Sequence, residues 1–171
     1  MLMSDSHPTL RVGTGYDVHA FAPNRALILG GVTIPYDLGL DGHSDADVLA
    51  HALADAILSA ARIEGAQDIG QLFPDTDDQF KDADSLGLLR TAGERVRAEG
   101  YSLIDCDCII VAQEPKLSPY REEMRINLAR ALAIDVSMIG LKATTTEKLG
   151  FAGRKEGIAA HATVLLAKLA N

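Results

Sequence analysis

A stripe of apolar residues at helical spacing constrains the fold of this chain more than any other feature of its sequence. The stripe recurs at three- and four-residue intervals and consists of Val48, Leu49, Ala52, Leu53, Ala56, Ile57 and Ala60. This spacing is typical of an α-helix that buries one face. Ser44 and the acidic Asp47 three positions later predict a capping-box-like start, and we expect the helix to end near Arg62.

Segments typical of β-strands precede and follow this helix. We predict strands at residues 10–19, 26–33, 102–113, 139–144 and 158–169, although the alanine-rich pattern of the last segment also fits a helix. A second helix is expected to open near Asp84 or Ser85, to end at Gly100, and to bury Leu86, Leu89 and Val96. A third is expected at residues 119–133, burying Met124, Leu128 and Leu132.

The order of these elements predicts the fold class. Helices alternate with strands, and no linker rich in proline, glycine or serine divides the chain. We therefore expect a single α+β domain over residues 10–171, after a flexible N-terminus at residues 1–9. Its mixed sheet, of about four to five strands, is expected to be covered by helices on one side.

Composition and charge exclude several classes of protein. The chain carries 24 Asp and Glu against 16 Lys and Arg, a formal charge of −8, and 47% of its residues are hydrophobic, which excludes disorder. The acidic balance argues against nucleic acid and anionic membranes as partners, so cations must assist if the chain binds phosphates. No apolar run approaches the ~18 to 20 residues of a membrane span, and Cys106 and Cys108 fit neither redox nor zinc spacing. We expect a cytoplasmic protein with reduced thiols.

Asp17, His19 and His51 form a candidate metal site. Residues two apart on a strand face the same side, so Asp17 and His19 project together. His51 is expected with Asp47 and Asp55 on the helical face opposite the apolar stripe. One carboxylate and two imidazoles would leave the fourth position of a zinc ion open, as in catalytic sites. The alternatives are an exposed Asp-x-His pair and a solvated helix face that bind no metal.

Residues 142–157 form a second candidate site, rich in hydroxyl groups, glycines and cations. Thr144 and Glu147 predict a capping box as the structural interpretation. The functional interpretation is a phosphate cradle, in which backbone amides and threonine hydroxyls bind anions and the Glu147 carboxylate holds a divalent cation between phosphates. The residues alone leave both interpretations open.

Six ordered blocks of sequence resemble the 2-C-methyl-D-erythritol 2,4-cyclodiphosphate synthase family, and together they span nearly the whole chain from residue 10 to residue 169. Any one block is a weak match, whereas the ordered set at the family's spacing is specific. The blocks lie at residues 15–21 (GYDVHAF), 30–35 (GGVTIP), 43–52 (HSDADV and the following His51), 68–70 (DIG), 73–77 (FPDTD) and 142–157.

The resemblance implies a phosphorus–oxygen lyase of the non-mevalonate isoprenoid pathway. The substrate would be 4-diphosphocytidyl-2-C-methyl-D-erythritol 2-phosphate, whose 2-phosphate attacks the β-phosphorus, so that CMP leaves and a cyclic diphosphate forms. Two other classes use similar residues. A metal-dependent phosphohydrolase would release inorganic phosphate, and a cytidine-nucleotide sensor would bind without turnover. The pairing of His43 and Thr145 with an open zinc position favours catalysis over sensing.

The resemblance also implies the ions and catalytic groups. Asp17, His19 and His51 would bind zinc. Glu147 would hold a second ion, Mg²⁺ or Mn²⁺, that bridges the diphosphate. The catalytic residues would be His43 and Thr145, which position phosphates and stabilise the transition state.

Substrate-binding positions follow from the same resemblance. They are Ser44, Asp68, Ile69, Gly70, Phe73, Pro74, Asp75, Thr76, Asp77, Ala112, Gln113, Glu114, Pro115, Lys116, Leu117, Ser118, Thr144, Thr146, Phe151 and Arg154. Residues 68–77 among them match a wall for the erythritol, and residues 112–118 match the cytidine pocket. Glu114 departs from the residue expected there.

The family's sites lie between subunits, so the resemblance implies a homotrimer. It also implies a channel on the three-fold axis that in some members holds an isoprenoid diphosphate. The residues that would gate this channel are Tyr16, Phe151, Arg154 and Glu156.

Overall fold

The computed structural model describes residues 9–73 and 83–168. Residues 1–8 of the expected N-terminal tail, residue 169 and the substrate-binding positions Pro74, Asp75, Thr76 and Asp77 lie outside the described residues. The strands are β1 (Thr9–Ala22), β2 (Leu27–Leu29), β3 (Val32–Ile34), β4 (Gly39–Leu40), β5 (Tyr101–Val111), β6 (Ile139–Thr144) and β7 (Gly157–Lys168). The helices are α1 (Val48–Ala61), α2 (Ile69–Leu72), α3 (Ser85–Ala98), α4 (Arg121–Leu132) and α5 (Gly150–Gly153).

Five strands form the main sheet, in the order β4-β1-β7-β5-β6. β5 and β6 are parallel, and the other neighbouring pairs are antiparallel. β2 and β3 form a separate hairpin around Gly30 and Gly31, whose φ angles are 54° and 69°. The predicted α+β domain with a mixed sheet covered on one side is confirmed, and the last segment is a strand as expected.

α1 packs closely on β1 because glycines stand where the two elements cross. A Cβ atom at Gly13 would lie 2.2 Å from the carbonyl oxygen of Ala56, and one at Gly15 would lie 2.0 Å from that of Ala52. Only glycine allows this approach of a helix backbone to a strand. The contact brings one face of α1 against the strand that carries Asp17.

The predicted helix start at Ser44 is wrong. The N-cap residue is Asp47, whose Oδ1 accepts hydrogen bonds from Leu49 N and Ala50 N, both at 3.1 Å. The Ser44 side chain makes other contacts, described below, and α1 runs from Val48 to Ala61. A cap three residues later shortens the helix at its N-terminus and leaves residues 41–46 as a loop.

The solvated helix face, given above as the alternative to a metal site, is not what α1 shows. Asp47 is fully buried, and its Oδ2 accepts a hydrogen bond from Gly31 N at 2.7 Å. His51 is buried, and Asp55 is half-buried. The physical reason is that α1 contacts α3 and β2 as well as the strands β1 and β7, so these elements bury residues outside the predicted stripe.

The remaining helices follow the prediction with shifted ends. α3 begins at Ser85 behind the N-cap residue Asp84, and it buries Leu89 and Val96, whereas Leu86 is only partly buried. The helix expected at residues 119–133 is a short 3₁₀ turn at Ser118–Tyr120 followed by α4. Its predicted apolar stripe is buried as expected, at Met124, Leu128 and Leu132.

The face of the main sheet away from α1 presents apolar side chains to the outside. On β1 these are Leu10, Val12, Tyr16 and Val18, which are between 43% and 60% exposed. The Tyr16 ring lies 4.5 Å from the ring of His161 on β7. A contiguous apolar row of this kind is typical of an interaction surface. No helix in the described part of the chain is long and apolar enough to cross a membrane.

Candidate functional site

A cleft of about 230 Å³ opens between β1, α1 and the loop that precedes α1. It collects residues from four of the sequence blocks and from α3, which no block includes. Its lining is Asp17, His19, Gly42, His43, Ser44, His51, Ile69, Gly70, Phe73 and Leu88. We call it the metal cleft.

Asp17, His19 and His51 come together in the metal cleft. Asp17 Oδ2 lies 3.0 Å from His19 Nε2 and 3.1 Å from His51 Nδ1, and the two ring nitrogens are 3.4 Å apart. All candidate ligand atoms lie within 4.8 Å of one another. A tetrahedral zinc ion with ligands at about 2.0 to 2.2 Å would separate them by about 3.3 Å. Donor types and spacing therefore both fit such an ion.

Hydrogen bonds fix the ionisation of this cluster. Burial raises the pKa of Asp17, but hydrogen bonds and charges from His19 and His51 outweigh it and hold that pKa well below its usual range. Burial lowers the pKa of His19, but the hydrogen bond and charge of Asp17 outweigh it and raise that pKa. His19 Nδ1 lies 2.5 Å from Asp41 O, which can only accept. A neutral His19 ring therefore keeps its proton on Nδ1 and presents the lone pair of Nε2 to the cluster.

The loop before α1 presents His43 and Ser44 differently. Arg25 holds the loop by donating to Gly42 O at 2.7 Å and to Ser44 O at 2.5 Å. His43 is exposed at the cleft, where a ligand can reach it. Ser44 is buried, and its Oγ lies 3.1 Å from His51 Nε2.

The short helix α2 forms the wall of the metal cleft that the resemblance assigns to the erythritol. Ile69, Gly70 and Phe73 line the cleft. Asp68 caps α2 instead, accepting from Gln71 N at 2.7 Å. Asp55 of α1 accepts from Ile69 N at 2.8 Å, so it anchors this wall and is not part of the metal cluster.

Sequence reasoning missed three residues around the metal cleft. A Cβ at Gly42 would lie 3.0 Å from Ala46 Cβ and 3.1 Å from His19 Cε1, so a larger residue would crowd the His19 ring. Ser85 and Leu88 belong to α3, more than thirty positions after His51, and no local pattern marks them. Ser85 Oγ lies 2.9 Å from His51 Nε2.

A second cleft, of about 310 Å³, lies where β5 and β6 end. We call it the nucleotide cleft. The structure brings residues 112–118 together with Thr144, the last residue of β6, and Thr145 directly after it. The lining is Ala112, Gln113, Glu114, Pro115, Lys116, Leu117, Ser118, Ala143, Thr144 and Thr145. Two contacts tie this segment to the following loop: Gln113 Oε1 accepts from Lys148 N at 3.0 Å, and Glu114 pairs with Lys155 at 2.6 Å.

The capping box expected from Thr144 and Glu147 does not form. Thr145 Oγ1 lies 3.2 Å from Glu147 Oε1, Thr146 donates to Leu149 O at 2.6 Å, and α5 begins only at Gly150 without a side-chain cap. Glu147 and Lys148 both adopt positive φ angles, 52° and 67°. Such strained conformations cost about 1 to 3 kcal/mol each and cluster at ligand-binding loops.

The two clefts are separate within one chain. They share no lining residue, and Glu147 lies in neither lining set. Asp17 pairs with Ala160, Ala160 with Ile110, and Ile110 with Ala143. These three strand spacings amount to about 14 Å. The metal cleft and the nucleotide cleft of the same chain are therefore too far apart to meet at one phosphate.

Phe151 and Arg154 line neither cleft. Phe151 belongs to α5 and is half-buried. Arg154 follows α5 and pairs with Glu156 at 2.7 Å on the surface. A direct contact with substrate is thus less well supported for these two positions than for residues 112–118.

Comparison with known proteins gives a consistent result. The family model described as the YgbB family matches residues 10–167. The curated relatives include a 2-C-methyl-D-erythritol 2,4-cyclodiphosphate synthase of Geobacillus kaustophilus, 61% identical over 158 residues that cover 92% of this chain and 98% of the relative. A protein of the same name from Bacillus licheniformis is 57% identical, over 93% of this chain and 99% of the relative.

Solved structures share the fold. The bifunctional IspDF of Campylobacter jejuni is 50% identical with a TM-score of 0.89, and the match covers 95% of this chain and 43% of that chain. The structure described as the IspF CDP complex of Plasmodium falciparum is 35% identical with a TM-score of 0.81, over 96% of this chain and 100% of that chain.

Proposed function

This chain belongs to the YgbB family, and we infer that it converts 4-diphosphocytidyl-2-C-methyl-D-erythritol 2-phosphate to 2-C-methyl-D-erythritol 2,4-cyclodiphosphate in the non-mevalonate isoprenoid pathway. The Asp17, His19 and His51 cluster carries this inference, because it offers an open metal position beside His43. An oxygen of the 2-phosphate bonds to the β-phosphorus, the bond from that phosphorus to the CMP oxygen breaks, and CMP leaves. The enzyme is therefore a phosphorus–oxygen lyase.

Asp17, His19 and His51 would hold a zinc ion, and Glu147 would hold Mg²⁺ or Mn²⁺. When bound, these ions neutralise phosphate charge and polarise the phosphorus that is attacked. The low pKa of Asp17 keeps it ionised as a ligand, and the donor set leaves one position for a substrate oxygen. Bound metal ions would also explain how a chain of formal charge −8 binds a substrate with several negative charges.

The side chains of this chain act mainly by position. Phosphoryl transfer needs the attacking oxygen in line and the developing charge stabilised. His43, exposed at the metal cleft, and Thr145, in the nucleotide cleft, orient the phosphates and stabilise that charge. Thr144 and Thr146 add hydroxyl contacts from the same loop. Because the Ser44 hydroxyl is turned to His51, its phosphate contact falls to the backbone N–H.

The two ends of the substrate occupy different clefts. The erythritol part lies against Ile69, Gly70 and Phe73, with Asp68 and residues 74–77 completing that wall. The cytosine lies in the nucleotide cleft, where the buried Ala112 and Leu117 provide apolar contact and backbone groups of residues 112–118 read the base. A site that hydrogen-bonds the exocyclic amine rejects uridine, because its own polar groups would be left unpaired.

The separation of the two clefts supports a homotrimer with shared sites. One chain cannot hold the diphosphate between clefts about 14 Å apart, but the metal cleft of one copy can face the nucleotide cleft of the next. The apolar row of β1, on the sheet face that no helix described here covers, supplies a surface for a second copy. The family resemblance further implies a central channel for an isoprenoid diphosphate, and we propose that Tyr16, Phe151, Arg154 and Glu156 gate it. Its test is lipid that co-purifies with the parent and is lost from Arg154→Ala; equal lipid in both would contradict it.

We place the protein in the cytoplasm. Cys106 and Cys108 are buried and form no disulfide, and a hydrogen bond with Cys106 together with burial raises the pKa of Cys108. Such inert thiols persist in a reducing compartment.

The direct test follows phosphorus by NMR. Purified, zinc-loaded protein is incubated with the diphosphocytidyl methylerythritol 2-phosphate and Mg²⁺, and we expect CMP and a cyclic diphosphate to form together. Inorganic phosphate in place of CMP would assign the site to a phosphohydrolase. Tight cytidine-nucleotide binding without turnover would assign it to a sensor.

A further inference from the structure

Ser85 contacts the side of the His51 ring that faces away from the metal cluster. Ser85 is the first residue of α3 and is 1% exposed. Its Oγ lies 2.9 Å from His51 Nε2, whereas the other ring nitrogen, Nδ1, lies 3.1 Å from Asp17 Oδ2. The tautomer of His51 therefore depends on whether the partner of Nε2 donates or accepts a hydrogen bond.

Asp45 determines what Ser85 can offer to that nitrogen. The Ser85 hydroxyl donates a short hydrogen bond to Asp45 Oδ1. Asp45 Oδ2 accepts from Ser85 N at 3.1 Å, and Oδ1 also accepts from Asp47 N at 3.2 Å. A serine hydroxyl has one proton, and here that proton goes to the carboxylate. Ser85 Oγ consequently presents a lone pair to His51, and Nε2 must carry the proton.

The contacts of Ser44 agree with this assignment. Its Oγ lies 3.1 Å from His51 Nε2 and 3.3 Å from Ser85 Oγ, and it accepts from Ala46 N at 3.1 Å. The Nε2 proton is thus shared by two serine oxygens, and the Ser44 hydroxyl can donate to Ser85. The chain of hydrogen bonds runs in one direction, from the imidazole to the carboxylate of Asp45.

We propose that Ser85 and Asp45 are positioning residues that hold the His51 proton on Nε2 and aim the Nδ1 lone pair at the metal position. This inference rests on the metal site of the proposed function. A metal-binding histidine usually donates its other ring N–H to a fixed acceptor, and the loss of that acceptor weakens metal binding about 10- to 100-fold. We call this chain of hydrogen bonds, from His51 through Ser85 to Asp45, the relay. Because Ser85 belongs to α3, the relay also connects the start of that helix to the metal site.

The test measures zinc affinity by competition with a chromogenic chelator, with no turnover required. We expect Ser85→Ala to weaken zinc binding about 10- to 100-fold. The matched control is Ser59→Ala, an exposed serine on the same helix as His51, and its affinity should stay within about two-fold of the parent. Nitrogen NMR of ¹⁵N-histidine-labelled, metal-free parent protein should show His51 protonated on Nε2. This second measurement needs no variant and holds even if Ser85→Ala folds poorly.

Each outcome has a separate meaning. Parental zinc affinity in Ser85→Ala, or a His51 ring in the parent that carries no proton on Nε2, overturns the relay. A parent that binds no zinc overturns both the relay and the metal site. A parent that binds zinc but forms no CMP overturns the proposed function and leaves the relay standing.

Discussion

The metal cleft and the nucleotide cleft are built in different ways. In the metal cleft the side chains of Asp17 and His51 are 24% and 10% exposed, and each ring nitrogen of His51 has a partner. In the nucleotide cleft the walls are tied by a surface pair, Glu114 and Lys155, each 48% exposed. The side chains of the metal cleft are held in place by contacts within one chain. The nucleotide cleft is open on one side, and a ligand or another copy of the chain is needed to close it. Changes to the two clefts should therefore have separable effects.

The largest expected effect is that of His51→Ala. Removing a ligand should abolish zinc binding and lower CMP formation by more than about 1,000-fold, beyond the roughly 10- to 100-fold loss typical of an outer partner. CMP binding, measured by calorimetry, should stay within about two-fold of the parent, because His51 does not line the nucleotide cleft. Loss of zinc and CMP binding together would contradict the separation of the clefts.

Thr145→Val tests the other half. Loss of one hydroxyl that stabilises developing charge should lower kcat about 100-fold while zinc affinity stays at the parental value. Thr91→Val, at an exposed position on α3, is the matched control and should behave as the parent. A fall in zinc affinity in Thr145→Val would mean that the two clefts are coupled within one chain.

Gly15→Ala tests the packing that creates the metal cleft. The new Cβ would meet Ala52 O at 2.0 Å, so α1 must move, and we expect a loss of about 1 to 3 kcal/mol in the free energy of unfolding, measured with urea. Gly87→Ala is the control, since its Cβ would meet only ordinary contacts at 3.6 Å or more. Equal stability of Gly15→Ala and the parent would contradict the close approach of α1 to β1.

The metal-free protein should show a weak pH optimum of stability. Asp17 has a lowered pKa, so its contribution to stability is present above its ordinary pKa of 3.8 and is lost as the pH falls through the folded value. His19 has a raised pKa, so its contribution is present below 6.5 and is lost as the pH rises through the folded value. The effect should be on the order of 1 kcal/mol, because burial opposes the hydrogen bonds and solvent partly screens both groups. Urea unfolding of metal-free Asp17→Asn should lack this optimum; an optimum that persists would assign it to other groups.

Glu114→Gln should have the smallest effect. The pair with Lys155 is exposed, so we expect a change below about 0.5 kcal/mol in the free energy of unfolding. A several-fold change in the KM for substrate without a change in kcat would show that this pair shapes the nucleotide cleft. A loss of zinc binding would be inconsistent with its position.

Much of this architecture could be predicted from the sequence because it depends on local pattern. The apolar stripe of α1 and the strand carrying Asp17 and His19 are confirmed, and residues 112–118 line one cleft together. The start of α1 could not be predicted, because Ser44 turns to His51 and Asp47 is buried by a contact with Gly31. Local capping rules do not include such distant partners.

The relay from His51 to Asp45 could not be predicted from the sequence for the same reason. Asp45 and Ser85 are forty positions apart, and their contact exists only once α3 packs on α1. The position of Glu147, outside both linings, also depends on how β6 leaves the sheet and not on any motif. Motif spacing identifies which residues take part, whereas the packing of helices decides which of them meet.

The most direct test of the shared site is complementation between two inactive variants. His51→Ala lacks an intact metal cleft and Thr145→Val lacks an intact nucleotide cleft, and the two are mixed, dissociated and reassembled. If each site takes one cleft from each of two chains, about one quarter of the sites receive two intact halves, and about a quarter of the parental CMP formation returns. If both halves of a site came from one chain, every site would carry a lesion, and activity no higher than that of the separate variants would contradict the account.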